Sequence, residues 1–263
     1  MKKYISLFKC AVQETMIYRW NFFFGILSKF AVTIVMFYIW RIMFKSNQII
    51  AGYTWESMKV YLFVSFLCTS TISWNAEMSM SKKVIQGNII ADLIKPVNLR
   101  TVTLVQAIGN SFFSNLCAIG IMFYFAIFIF KVSLPTDFQI WISFLISIGL
   151  SFLLNFILSY IFSLFSFWTS NAYGIATARS TISNFFSGAL VPLELFPPLL
   201  ARIAFLLPFK GIVYIPTSIF IGTLSGSEIY HALMGQTIWL MVLWGISSLL
   251  WKQAVQQVTI NGG

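Results

Sequence analysis

The sequence predicts an all-α integral membrane protein with about six transmembrane helices, and three observations carry that prediction. The chain is 59% hydrophobic and only 9% charged, whereas a soluble domain is about 25% charged. Its apolar residues fall into runs near the roughly 20 residues that a spanning helix needs. Its basic residues, with a formal net charge of +10 over 263 residues, sit beside those runs. A chain this apolar cannot cover itself with polar surface, so lipid is its natural solvent, and little length remains for a soluble domain. Basic residues flanking apolar segments suit anionic lipid head groups and set orientation. They do not gather with aromatics on one polar face, as a nucleic-acid site requires, so no nucleic-acid partner is expected.

Residues 1–20 read as an amphipathic helix in the membrane interface. One arc holds Tyr4, Ile5, Leu7, Phe8, Ala11, Val12 and Met16; the other holds Lys2, Lys3, Ser6, Lys9, Gln13 and Glu14. Such a helix buries its apolar face and turns its lysines to phospholipid. No compact apolar stretch with a small-residue cleavage site marks a cleaved signal. The expected spans are 22–44, 58–75, 103–130, 138–168, 172–192 and 230–251. The first contains Lys29 and Arg41, and the fifth contains Arg179. A charge at mid-membrane costs about 2.5–3.5 kcal/mol on insertion scales. Arg41 is near an end and snorkels; for Lys29, snorkelling and pairing in a polar pathway both stand.

Positive residues concentrate in the N-terminal segment and in the loop after the second span, at Lys82, Lys83, Lys95 and Arg100. By the positive-inside bias, both termini are expected in the cytoplasm, which fits an even number of spans. Arg202 and Lys210 then fall outside, against the bias. Cys10, Cys68 and Cys117 are odd in number and lack a Cys-x-x-Cys pair, which argues against a disulfide framework or zinc site.

Two segments stand apart. In the loop 79–100, Asn88 reads as a helix N-cap and Pro96 as a stop. Between them Ile89 and Leu93, like Ile90 and Ile94, are four apart and stack on a helix face. A short apolar helix of this kind lies on lipid or docks into a partner. The second segment, 195–222, is apolar but carries Pro197, Pro198, Pro208 and Pro216. Pro197 and Pro198 suit a helix start, Pro208 should end that helix, and Pro216 is expected to interrupt the next stretch. Pieces of about ten residues span roughly 15 Å, half the hydrocarbon thickness, so the segment reads as an outer re-entrant hairpin. It acts either as a gate or as a static plug.

These segments carry a resemblance. The run from Gly87 and Asn88 through Ile89, Ile90, Asp92, Leu93, Ile94, Lys95 and Pro96 to Asn98 looks like the cytoplasmic loop of ABC-2-type export permeases. Phe167-Trp168-Thr169, then Phe186 to Pro192, Phe196-Pro197, Pro208-Phe209, Pro216 and Gly222 resemble the uncharacterised or drug-resistance-type branch of that family. The resemblance covers nearly the whole chain. Glu194-Leu195 stands where an acidic–aromatic pair is more usual before Phe196-Pro197.

The resemblance implies a six-span permease of a bacterial cell membrane exporter, pairing with a second, identical or homologous permease and with two ATPase subunits. It implies that Gly87–Pro96 is a coupling helix contacting the ATPase, and that Pro192, Phe196, Pro197, Pro208, Phe209 and Pro216 shape the outer hairpin. The chain lacks a Gly-x4-Gly-Lys-Ser/Thr phosphate loop, so ATP hydrolysis belongs to another subunit, and no cofactor is expected.

The rival readings are weaker. An enzyme needs clustered acids, bases or metal ligands, but the single histidine, His231, and seven acids are scattered. An ion-coupled secondary transporter or channel usually keeps ionisable groups within its spans, and no carboxylate lies inside the later ones. Asn110, Asn115 and Asn155, with Trp168 and Thr169, either line a pathway or join helices by hydrogen bonds. With few inward charges, an amphipathic or hydrophobic cargo (drug, peptide, lipid or glycan) is expected.

Overall fold

A computed structural model of the chain describes residues 2–17, 19–70, 74–94, 97–125, 135–169 and 171–261. They form an almost wholly helical bundle. The helices are α1 (Lys2–Ile17), α2 (Arg19–Ser46), α3 (Trp55–Ser70), α4 (Trp74–Ile85), α5 (Ile89–Leu93), α6 (Leu99–Tyr124), α7 (Phe138–Leu164), α8 (Ala172–Phe186), α9 (Pro198–Leu206), α10 (Tyr214–Ile221) and α11 (Ser227–Asn261). One feature lies outside the all-α expectation: a two-stranded ribbon, β1 (Ile49–Ile50) and β2 (Tyr53–Thr54). Its turn uses positive φ at both Ala51 and Gly52, the backbone that tight hairpins require.

Among the described residues, four helical stretches are long and apolar enough to cross a membrane: Phe23–Ser46, Leu99–Ile121, Phe138–Phe167 and Ser227–Gln257. The other two expected spans differ from their predicted bounds. The helix expected over 58–75 starts earlier, at Trp55, and ends as α3 at Ser70, with 71–73 outside the described residues. At 16 residues it is roughly 24 Å long. The helix expected over 172–192 stops as α8 at Phe186 after 15 residues, because Gly188 takes φ 82° and turns the chain in the left-handed conformation that ends helices. The third span reaches Tyr124; residues 126–130 of its expected range are not among those described.

Packing explains these lengths. α3 is buried almost continuously from Met58 to Cys68, as a helix apolar all round must be. It is wrapped by α2, α6 and α10, while α7 lies against α11, α10, α4 and α8. α1 packs along α6 rather than standing alone. There an added Cβ on Gly109 would lie 2.7 Å from Ala11 Cβ and 3.0 Å from the Phe8 carbonyl. Only a residue without a side chain allows this approach.

The loop expected over 79–100 is shorter than predicted. Residues up to Ile85 continue α4, and Met80 and Ser81 are buried, so the polar composition there marks a helix with one wet side. In the second segment, α9 begins at Pro198 in its first helical position. Leu207 is extended (φ −78°, ψ 154°), as a residue before proline prefers. Pro216 does not interrupt the following helix. It sits in the first turn of α10, where its missing N–H has no carbonyl to serve. The break falls at residues 207–213 instead.

Candidate functional site

A cavity of about 320 Å³ opens between α2, α3 and α8 and the turn after α8. Lys29 reaches it from α2 and donates from Nζ to the Thr69 carbonyl at 2.9 Å. Thr69 is one residue before the end of α3 as described, so the ammonium joins α2 to α3 there. Arg179 reaches the cavity from α8, is 1% exposed, and donates to Asn155 Oδ1 on α7 at 3.2 Å. The hydroxyls of Ser65 and Ser183 are buried against the same space. Val32, Met36, Leu62 and Phe66 supply apolar wall, and no carboxylate lines it among the described residues.

The end of the cavity near Gly188 is fastened to the broken-helix segment. The Tyr61 hydroxyl donates to the Gly188 carbonyl, and the Tyr214 amide donates to the Ser187 carbonyl at 3.0 Å. Glu194 accepts from Tyr53 at 3.2 Å and from Tyr214 at 2.6 Å, joining the ribbon to α10. Burial first, and then the neighbouring Glu194 carboxylate, push the Tyr53 phenol well above its ordinary pKa, so it stays a donor.

The break itself is held from α7 and α11. Gln236, 1% exposed, donates to the Gly211 carbonyl at 2.7 Å and to the Ser147 carbonyl at 3.3 Å. It accepts from the Ser147 hydroxyl at 3.1 Å, and Ser151 donates to the Ile212 carbonyl. Backbone freed from helix is tolerated in an apolar interior only when side chains take over its hydrogen bonds. Sequence reasoning missed this lock; a lone glutamine within the last apolar run was its one signal.

The residues expected to form a pathway are dispersed. Asn155 touches the cavity only through Arg179. Asn110 faces α1, with Thr15 Oγ1 3.5 Å from its Oδ1, and lines a separate polar cavity of about 90 Å³. Asn115 is in α6, Trp168 is 44% exposed, and the Thr169 side chain accepts from the Asn171 amide at 3.4 Å. None of the five lines the large cavity. Its polar wall comes instead from Ser28, Lys29, Thr33, Ser65, Arg179 and Ser183, and the charges placed deep within spans were the signal for it.

The expected coupling helix is α5, five residues long. Gly87, with φ 73°, turns the chain between α4 and α5, and Lys83 pairs with Asp92 at 2.8 Å. Asn88 precedes the helix but makes no side-chain cap; its amide donates to Gln86 Oε1 at 3.3 Å. The four apolar residues divide into two faces. Ile89 is buried and Leu93 packs on the chain's own core, while Ile90 and Ile94 are 45% and 78% exposed. Lys95 and Pro96 lie outside the described residues. Of the hairpin residues, Pro208 and Phe209 are buried in the break, Phe196 meets the Phe185 ring at 5.1 Å, and Pro192 leads into the turn Leu193–Leu195. Pro197 and Pro216 stand at the starts of α9 and α10.

A family model described as ABC-2 family transporter protein matches residues 30–262. No curated protein matches the chain.

Proposed function

The chain belongs to the ABC-2 family of transporter proteins, and from that premise we propose that it is the membrane permease of an ATP-driven exporter. The family match over 233 residues (30 through 262) is the observation that carries this reading. In it, six helical segments cross the membrane, with α3 and α8 as the short ones and both termini in the cytoplasm of a bacterial cell. α1 lies at the interface, and the pair α9–α10 forms an outer re-entrant hairpin.

ATP is hydrolysed by two separate subunits that contact the α5 region. Cargo passes between this chain and a second permease, identical or homologous. The side chains best suited to meet cargo are those of the α2–α3–α8 cavity, because it combines polar groups with apolar wall. The buried lock at Gln236 holds the hairpin so that its movement couples to α7 and α11.

The test is co-purification of the tagged chain with an ABC ATPase from its native membrane, followed by reconstitution. The expected result is vanadate-sensitive, cargo-stimulated ATP hydrolysis by the complex. Transport driven by an ion gradient, by the purified chain with no ATPase present, would favour the secondary-transporter alternative and refute the proposal.

A further inference from the structure

The α2–α3–α8 cavity is apolar over much of its wall, yet the Lys29 ammonium reaches it. An ammonium carries three donors, and Lys29 spends one on the Thr69 carbonyl. It forms no ion pair among the described residues. The Arg179 guanidinium reaches the space from α8 and is already engaged within the protein, with Asn155 among its partners. Ser65 and Ser183 are 3% and 2% exposed, and neither hydroxyl has a hydrogen-bond partner among the described residues. Among the described residues nothing acidic lines the space. A positive charge in apolar surroundings is unfavourable unless a counter-charge and hydrogen bonds compensate it, and buried hydroxyls without partners carry a similar cost. One kind of occupant meets all of these needs: an acid group for Lys29 and the serines, continuous with a chain that covers Met36, Leu62 and Phe66.

We propose that this cavity binds an amphipathic anion, a molecule with a carboxylate or phosphate head and an apolar tail. The inference deepens the permease reading and rests on it for the cargo's fate. Lys29 and the two serines hold the acid head, and α2 and α3 hold the tail. At about 320 Å³ the space is near the lower end of small-molecule pockets, which run from about 300 to 1,000 Å³. It therefore takes the head and the first part of the tail, and the rest extends along the exposed apolar side of α2.

The full chain, purified in phosphatidylcholine nanodiscs, is titrated with 11-(dansylamino)undecanoic acid and with the matching alcohol. The acid is expected to bind about tenfold more tightly than the alcohol, the advantage of a charged hydrogen bond. Lys29→Gln should remove that preference, and Lys29→Arg should keep it. Because Lys29 also holds the Thr69 carbonyl, Lys29→Gln risks misfolding, so Asn184→Asp serves as a second variant. Asn184 is exposed on the cavity wall, and a carboxylate there should weaken the acid and spare the alcohol.

Equal binding of acid and alcohol by the unaltered chain would overturn the proposal. So would a preference that survives Lys29→Gln and Asn184→Asp, which would leave Lys29 only its structural bond to the Thr69 carbonyl. Adding phosphatidylglycerol to the discs separates two sources of the anion. Displacement of the probe assigns the head group to a bilayer lipid, and no displacement assigns it to a dissolved amphiphile; either upholds the site. Binding is read without an ATPase, so loss of the site with intact ATPase coupling would refute this inference alone. Intact binding without any ATPase partner would refute the permease reading alone.

Discussion

Gln236→Leu tests whether the broken segment between α9 and α10 is held by one side chain. The carboxamide is the donor to the Gly211 carbonyl at 2.7 Å and the acceptor of the Ser147 hydroxyl at 3.1 Å. Leucine has a similar volume and no polar atom, so the substitution removes the hydrogen bonds with little change in packing. The Ser147 hydroxyl can turn to a carbonyl of its own helix and loses little. Gly211 ends the short 3-10 turn Pro208–Gly211 between α9 and α10, buried against Leu154, and its carbonyl is left without this donor.

An orphaned buried carbonyl costs about 1–3 kcal/mol, while hydrogen bonds measured within membrane proteins average about 0.6 and reach about 1.7 kcal/mol. A loss of about 1–2 kcal/mol is therefore expected. For a chain of this size that corresponds to a fall of roughly 2–8 °C in Tm. Thermal unfolding of the purified protein in detergent, followed by tryptophan fluorescence, measures it. Met234→Leu, at a position 58% exposed on the same helix, serves as the control and should stay within about 0.5 kcal/mol. Unchanged or raised stability of Gln236→Leu would show that the segment is held by packing alone. A double-mutant cycle with Ser147→Ala should be non-additive, because the two residues share one network.

Gly109→Val should detach α1 from α6, because the new side chain would meet the Phe8 backbone as well as Ala11. Faster proteolysis within residues 2–17, with the rest of the chain intact, is the expected readout. Ile90→Asp and Ile94→Asp should reduce co-purification with the ATPase at least tenfold while leaving Tm unchanged, because both side chains are exposed. Leu93→Asp should lower Tm as well, by the cost of a charge in the core, about 3 kcal/mol or more. If all three behave alike, α5 does not present a separate docking face. For orientation, Gln86→Cys and Ser227→Cys serve as labelling positions, since both are exposed. In a background lacking the native cysteines, an impermeant maleimide on intact cells should label position 227 and spare position 86; the reverse result would invert the topology.

Several features of the chain are legible from its order of residues because their causes are local. Pro198 opens α9, and Pro208 forces Leu207 out of helical geometry through a clash with the next ring. The long apolar runs that became α2, α6, α7 and α11 need only composition to be recognised. Pro216 was misread because the same residue breaks a helix in its interior and begins one in its first turn, and the position of that first turn depends on where the preceding chain stops. The stacking of Ile89 with Leu93 and of Ile90 with Ile94 is legible in their spacing. That the first pair turns inward, where all four read as one docking surface, is not, because it depends on where α5 lies against the bundle.

The sequence by itself determined the solvent and the family. Low charge and long apolar runs require lipid whatever the packing, and motifs along nearly the full chain point to ABC-2 transporter proteins. Only the tertiary structure decided which polar residues work together. Lys29, Ser65 and Arg179 come from three separate helices, and the asparagines that looked most like a pathway ended elsewhere. The lock of Gln236 on Gly211 joins positions 25 residues apart across a break. The physical reason is one of range. Helix formation and membrane affinity are sums over neighbours in the chain, whereas a buried cavity depends on which helix faces meet. Those faces are set by close contacts such as Gly109 on Ala11 and Gly211 beside Leu154, between residues that nothing in the linear order pairs.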